Sequence, residues 1–368
     1  MRLLLCGGGT AGHVNPAIAI AEEIRSRNKN SSFLFIGREG GRENELITKA
    51  GFEVKTIKIE GLRRSLSSDN IRRIIYALKA RSAAEKIIKD FKPDIVFGTG
   101  GYVCWPVITA AKALGIKTAI HESNVSPGIT TKMVSGKCDI IFLNHEKTKD
   151  YLGRRNNSLV VGNPLRHNFG SITREEARRR LKIKDNEFFI LSFGGSIGAQ
   201  RLNDVILEVI EEYSSKNPRV KHIHAMGKRY YKEGEKKYID RPVGGCRIVP
   251  YINDMATAMK AADIVISRCG AITLSEISAS QTAAILIPSP NVSDNHQYKN
   301  AKLFFDAGAA SLIEEKNLSS ERLISEIKSL ENDEIGRKNR AKIIGALYIP
   351  GAEKAIADKL FSLKNPIK

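Results

Sequence analysis

"LLLCGGGTAGHVNPAIAIAEEI", Leu3 to Ile24, is the stretch on which the fold turns. An apolar run, Leu3–Cys6, reads as a buried strand, and three glycines at Gly7, Gly9 and Gly12 then fit G-x-G-x-x-G at the mouth of a helix. Glycines in that place let the backbone turn sharply and approach a phosphate, whose charge suits a helix N-terminus. Three readings stand side by side: a dinucleotide pocket, a phosphate cradle for another ligand, or only a tight strand-to-helix turn. A dinucleotide site wants an acid about 20 positions on to hold ribose hydroxyls. The second strand ends instead in Gly37-Arg38-Glu39, with the acid one place late, which demotes NAD without excluding it. No G-x-x-x-x-G-K-[ST] is present, so the chain is not a P-loop NTPase. His13 falls in the first turn of the helix. There the positive helix end lowers its pKa and favours the neutral imidazole a general base needs; a capping or packing histidine is the alternative.

Outward from this loop the pattern repeats. Apolar runs at Leu3–Cys6, Ser32–Ile36, Ile95–Phe97, Thr118–Ile120 and Ile140–Leu143 alternate with amphipathic stretches. The rhythm restarts at Phe188–Phe193, Val220–Ala225, Cys246–Val249, Ile264–Ile266 and Ala284–Ile287. Strands alternating with helices imply parallel sheets covered on both faces. The expectation is an α/β protein of two doubly wound, Rossmann-like domains, 1–163 and 164–345, joined around Gly162-Asn163-Pro164 with a ligand cleft between them. A last helix within 346–368 is expected to pack back on the first domain. Each half opens with a glycine loop, "GGGTAGH" at Gly7 and "GGSIGAQ" at Gly194.

At 368 residues, 42% hydrophobic and 27% charged, the composition is that of a soluble globular protein of two domains. Lys and Arg number 59 against 40 Asp and Glu, a net charge of +19. That excess favours an anionic partner such as nucleic acid, acidic lipid or a phosphorylated substrate, or else a plain solvated basic surface. Five cysteines without C-x-x-C read as reduced thiols of a cytoplasmic protein. No leader of the three-part form and no apolar run of about 18 residues is expected to take the chain across a membrane.

The second half carries the denser constellation. "SRCGAITLSEISA" follows the Ile264–Ile266 strand and brings Ser267, Thr273, Ser275 and Glu276 to a helix start. A carboxylate there can accept both hydroxyls of a ribose while the helix start faces a pyrophosphate. "SDNHQYKNA" adds Asp294, Asn295 and Gln297 at the next strand-to-helix junction. The alternative is capping, and Thr273 to Glu276 fits a capping box. His222 and His224 share one face of a strand with no carboxylate or cysteine near them in sequence, and read as core or surface histidines rather than metal ligands.

The blocks "GGGTAGHVNPAIAIA", "GGYVCWP", "HESNVSPGITTK", "VGNPLR", "GGSIGAQRLN", "SRCGAITLSEI" and "DNHQYKNA" occur in an order and spacing that resembles the peptidoglycan N-acetylglucosaminyltransferase family, over nearly the whole chain. The resemblance implies a GT-B glycosyltransferase that moves N-acetylglucosamine from UDP to the muramyl sugar of lipid I, giving lipid II. Carried over by motif, Thr10, Ala11 and Gly12 face the donor sugar and phosphates, and Asn124 contacts the N-acetylglucosamine. Arg166 and Ser196 bind near the diphosphate, and Ile252 lies against the uracil. Ala271, Ile272, Thr273, Leu274 and Ser275 hold the nucleotide, Glu276 takes the ribose, Gln297 the sugar hydroxyls, and His13 is the catalytic base. Three positions depart from the family pattern: Ala11 for a glycine, Cys104 for a serine, and Ser280-Gln281-Thr282 for Gly-x-Pro. None removes a charged or hydroxyl group assigned to the donor.

The implied chemistry is direct displacement at the anomeric carbon with inversion. The chain contains no D-x-D, so no metal and no cofactor are expected, and Arg166, Ser196 and helix N-termini are left to meet the diphosphate charge. From Gly61 to Lys92 nine Lys or Arg stand against three acids, and Ile71, Ile74, Ile75 and Leu78 share one helical face ringed by Arg72, Arg73, Lys79 and Arg81. Such a stretch either lies on an anionic leaflet or turns its stripe into the core. With a polyprenyl acceptor the expectation is peripheral attachment at the cytoplasmic face of the bacterial inner membrane. Nucleic acid is not expected, since Tyr76 and Phe91 are the only aromatics in the stretch and no reading module appears. Another GT-B enzyme, either a glycolipid transferase or a UDP-N-acetylglucosamine 2-epimerase, stays open as the rival.

Overall fold

A computed structural model describes residues 1–9, 11–41, 43–61, 69–153, 157–166, 169, 171–231 and 244–364 of the chain. They form two compact units, Met1–Arg166 with Ile349–Lys368, and His167–Tyr348.

The first unit holds β1 (Arg2–Cys6), β2 (Ser32–Arg38), β3 (Val54–Ile57), β4 (Ile95–Gly98), β5 (Lys117–Glu122), β6 (Ile140–Leu143) and β7 (Ser158–Val160). They make one parallel sheet ordered β3-β2-β1-β4-β5-β6-β7. Leu3, Leu4, Leu5 and Cys6 are all fully buried, because a central parallel strand is covered on both faces. The order reverses direction between β1 and β4. At such a switch point the helices leave to opposite faces and open a crevice at the strands' carboxyl ends.

The second unit repeats the plan with β8 (Phe188–Phe193), β9 (Val220–Ala225), β10 (Cys246–Val249), β11 (Ile264–Ser267), β12 (Ala283–Leu286) and β13 (Ala310–Leu312), ordered β10-β9-β8-β11-β12-β13. Its reversal lies between β8 and β11. A bolt closes the other end of this sheet. Asp263, just ahead of β11, binds Arg174 at 2.7 Å and Arg178 at 3.2 Å, and accepts from the Phe189 N–H.

The last helix, Ala352–Lys364, belongs to the first unit. Ile356, Ala357 and Leu360 are buried in one core with Leu3, Leu5, Ile18 and Phe97. Lys364 reaches Asp94 at 3.0 Å, and Asp358 pairs with Arg27.

The helix Asp69–Phe91 settles the orientation of the basic stretch for the side chains described. Ala80, Ala84 and Ile88 are its core face, whereas Ile75 and Leu78 point outward at 47% and 56% exposure. The core-facing alternative for the isoleucine–leucine stripe therefore fails at these two positions. The helix turns Ala80, Ala84 and Ile88 to the core and leaves Ile75 and Leu78 outside. The side chains of Ile71, Arg72, Arg73 and Ile74 lie outside the described set.

Candidate active site

Both switch points carry glycine loops, and in both the reason is backbone against backbone. Gly101 has φ +80°, and a Cβ there would lie 2.1 Å from the Gly8 carbonyl oxygen. Gly198 has φ +88°, and its Cβ would lie 2.0 Å from the Met226 oxygen. The loop after β1 thus rests on the loop after β4, and the loop after β8 on the loop after β9. Side chains are excluded at these contacts, so the helices that follow start close to the sheet.

In the first unit, Thr10 lies outside the described residues, Ala11 opens the helix Ala11–Arg27, and Gly12 and His13 are half-buried in its first turn. His13 Nδ1 stands 3.0 Å from the Thr99 carbonyl oxygen. A carbonyl only accepts, so Nδ1 carries the hydrogen, and in the neutral ring the lone pair is on Nε2. That is the tautomer a base at Nε2 requires.

The next element supplies Asn124. It is held by Glu122, a buried carboxylate at the end of β5 that accepts from Asn124 N at 3.0 Å, Asn124 Nδ2 at 2.9 Å, Gly128 N at 3.0 Å and Thr131 Oγ1 at 2.6 Å. Four donors satisfy one buried charge and fix the turn that follows. His121 is fully buried, donates through Nε2 to the Gly162 oxygen at 2.9 Å, and is pushed down to about 4 by that burial, so it stays neutral. Arg166 pairs with Glu22 of the first helix at 3.3 Å.

In the second unit Ser196 is exposed on its loop between Gly195 and Gly198, and Ile252 is half-buried against the core below β11. The helix Ala271–Ser280 starts at Gly270, which has no side chain to cap it. Thr273 is therefore the third helical residue and not the N-cap, and the capping-box alternative for Thr273 and Glu276 is not formed. Ala271, Ile272, Leu274 and Ser275 are buried, with Thr273 and Glu276 half-buried between them. Burial pushes the Glu276 carboxyl up to about 8. Gln297 Oε1 accepts from Cys269 N at 3.1 Å and Ser289 N at 2.9 Å, which turns its NH2 outward as a donor. Asp294 and Asn295, both with positive φ, are exposed just before that helix.

Sequence reasoning passed over Glu122, Thr99 and Arg268. Glu122 stood in the quoted block, but nothing in the order of residues says that a carboxylate ending a buried strand will gather four donors. Arg268, buried at the end of β11, binds the Ile287 and Pro288 oxygens and Glu315. His222 and His224 prove to be core histidines. Ser192 Oγ lies 2.7 Å from His222 Nε2 and 2.8 Å from His224 Nδ1, and burial holds the rings down to about 3 and about 4. Among the described residues no group of three or more His, Cys, Asp or Glu gathers as a metal site.

Residues 3–143 match the glycosyltransferase family 28 N-terminal domain, and residues 189–352 match the family 28 C-terminal domain. The chain belongs to glycosyltransferase family 28. A family relative from Thermoanaerobacter sp. (strain X514), named UDP-N-acetylglucosamine–N-acetylmuramyl-(pentapeptide) pyrophosphoryl-undecaprenol N-acetylglucosamine transferase, is 40% identical over 361 residues, covering 96% of this chain and 98% of the relative. The crystal structure of Acinetobacter baumannii MurG aligns with TM-score 0.75 at 26% identity, over 98% of this chain and 99% of that one. A putative UDP-N-acetylglucosamine 2-epimerase from Listeria monocytogenes aligns with TM-score 0.72 at 11% identity, over 100% and 97%, which is a likeness of fold alone. The GT-B architecture of family 28 is thus shared with enzymes of another reaction, and the fold by itself does not choose between them.

Proposed function

We propose that the chain transfers N-acetylglucosamine from UDP-N-acetylglucosamine to the N-acetylmuramyl sugar of undecaprenyl-pyrophosphoryl-MurNAc-pentapeptide (lipid I), with inversion, giving lipid II. The observation that carries this reading is 40% identity spread over 96% of the chain to a transferase so named, since the fold is common to epimerases. The geometry supports it. His13, its Nδ1–H held by the Thr99 carbonyl, takes the acceptor hydroxyl proton on Nε2 as that oxygen attacks the anomeric carbon. UDP leaves from the opposite face.

Residues 1–163 form the acceptor and membrane part and 164–345 the UDP-sugar part, with 346–368 completing the first. Thr10, Ala11 and Gly12 lie along the donor sugar and phosphates, and Asn124 meets the N-acetyl sugar. Ile252 lies against uracil, the stretch Ala271–Ser275 holds the nucleotide, Glu276 accepts from the ribose hydroxyls, and the outward NH2 of Gln297 donates to the sugar. Arg166, Ser196 and the helix starting at Ala271 meet the diphosphate, where developing charge is stabilised by donors already in place. For Arg166 this requires exchanging Glu22 for phosphate.

The test is UDP release from UDP-N-acetylglucosamine, with and without a lipid I analogue, in EDTA. Acceptor-dependent release that survives EDTA is expected. Release without acceptor, or none with it from protein that binds donor, would overturn the transferase reading. His13→Ala at normal turnover would end the base assignment.

The exposed Ile75 and Leu78 on a basic helix support a peripheral seat on an anionic membrane at the cytoplasmic face, each basic side chain near the surface adding about 1 kcal/mol. Among the described residues no helix is long and apolar enough to cross a membrane. Ile75→Asp with Leu78→Asp is expected to abolish co-sedimentation with phosphatidylglycerol vesicles at low salt. Unchanged sedimentation would remove this surface from the account.

A further inference from the structure

We propose that Thr99 is a positioning residue for the base, fixing which nitrogen of His13 carries the hydrogen and where the ring points; this rests on His13 acting as base. Thr99 follows β4 directly, is 1% exposed, and is tied to His13 at both ends. Its hydroxyl Oγ1 donates to the His13 carbonyl oxygen at 2.5 Å, and its own carbonyl oxygen accepts from His13 Nδ1 at 3.0 Å. The two bonds close a ring between residues 86 apart in sequence. A single bond to the imidazole would let the ring swing, and the second locks the main chain that carries it.

Two glycines are spent on this contact. A Cβ on Gly7 would lie 2.3 Å from Thr99 Oγ1 and 2.9 Å from the His13 oxygen, and one on Gly100, where φ is +103°, would lie 2.7 Å from His13 Nδ1. Part of the glycine signal in the first loop is therefore room for the Thr99–His13 clamp, and not room for a phosphate. The chemistry follows from the donor set. With Nδ1–H given to a carbonyl, Nε2 is the atom that takes the proton. As it does so, the Nδ1–H bond becomes charge-assisted and strengthens with the charge that develops on the ring. The hydroxyl also reaches the Cys6 oxygen at 3.3 Å. A serine at 99 keeps a hydroxyl and hence both bonds of the clamp, whereas valine keeps only the carbonyl bond to the ring.

The experiment compares Thr99→Val and Thr99→Ser in the full chain by three readings. These are kcat and KM for UDP-N-acetylglucosamine with a lipid I analogue, the thermal midpoint, and the 15N shifts of the His13 ring, assigned with His13→Gln. Valine is expected to lower kcat about 10- to 100-fold, the cost of a misaimed group, with KM within about twofold. Serine is expected to recover kcat to within about threefold of the parent. The parent ring is expected to be protonated at Nδ1, and the valine chain to keep that tautomer, because the residue-99 carbonyl remains, while its ring signals broaden or shift as the main chain that aims the ring loosens.

Parent-like kcat in the valine chain, equal losses in both variants, or a parent ring protonated at Nε2 would each overturn the proposal. If the valine chain does not fold, the serine variant and the parent tautomer decide. The ring shifts are read without turnover, so a failure of the base reading, seen as His13→Ala with normal kcat, is distinguished from a failure of the clamp.

Discussion

Donor binding should release a proton, and Glu276 is the group that releases it. Burial disfavours the charge on its carboxyl and pushes it up to about 8. A carboxylate accepting two ribose hydroxyls belongs near the ordinary carboxyl range, so the bound form is ionised and the free form mostly is not. The free carboxyl is about 1% ionised at pH 6, about 9% at pH 7 and about half at pH 8. Affinity for UDP-N-acetylglucosamine should therefore rise about 50-fold from pH 6 to pH 8, and about 0.9 proton should leave per donor bound at pH 7. The donor's diphosphate is fully ionised throughout and adds no titration of its own. Calorimetry in two buffers of different ionisation enthalpy measures both quantities. Glu276→Gln should bind about 10- to 100-fold more weakly at pH 8, the worth of a charged hydrogen bond, and show a flat pH dependence. Parent affinity that is flat across this range with no proton release would refute the reasoning, as would a slope that survives in the glutamine variant. The stability sign is the reverse. A raised folded-state pKa stabilises the unliganded fold at low pH and loses that contribution as pH climbs toward 8, so the glutamine variant should be the more stable one at pH 8.

His222 and His224 act in the opposite direction. Their depressed values give stability that is whole above pH 6.5 and lost as pH falls below it, about 2 kcal/mol for each ring between pH 6.5 and 5. Urea unfolding in the Glu276→Gln background, where the carboxyl is silent, should show that loss, and equal stability at pH 7.5 and 5 would contradict it. The glycines should separate by surroundings. Gly40→Ala, at φ +65° with nothing among the described residues within 4 Å, should cost about 1 kcal/mol of strain, whereas Gly101→Ala meets the Gly8 oxygen and should cost at least about 3 kcal/mol and most of the activity. Equal midpoints for the two variants would dismiss the backbone contact as their difference.

The central strands were legible because a parallel strand buried on both faces must be a continuous apolar run, and Leu3–Cys6 and Phe188–Phe193 are that. The edge strands Val54–Ile57, Ser158–Val160 and Ala310–Leu312 were not: they are short and half-exposed, and their pattern has no reason to be apolar. Site positions at strand ends followed from the same logic, since the loops after β1, β8 and β11 flank the two switch points. What the order of residues could not give was partnership. Nothing adjacent to His13 names Thr99 as its clamp, and Thr273 to Glu276 spelled a capping box that the helix start at Ala271 ruled out. Gln281 shows the same limit. It takes φ +52° at the helix end, a left-handed place where the family's turn signal is missing.

The final helix gives the chain an order of events in time. Ile356, Ala357 and Leu360 finish the core that Leu3, Leu5 and Ile18 begin, yet residues 167–348 must leave the ribosome in between. At about 5–20 residues per second that is roughly 10–35 s during which the first unit waits with one apolar face unclosed, while the second, unbroken in sequence, can complete itself. The earliest-made half of the protein is thus the last to become whole, and those seconds are when a nascent chain of this design is most open to chaperones and to aggregation.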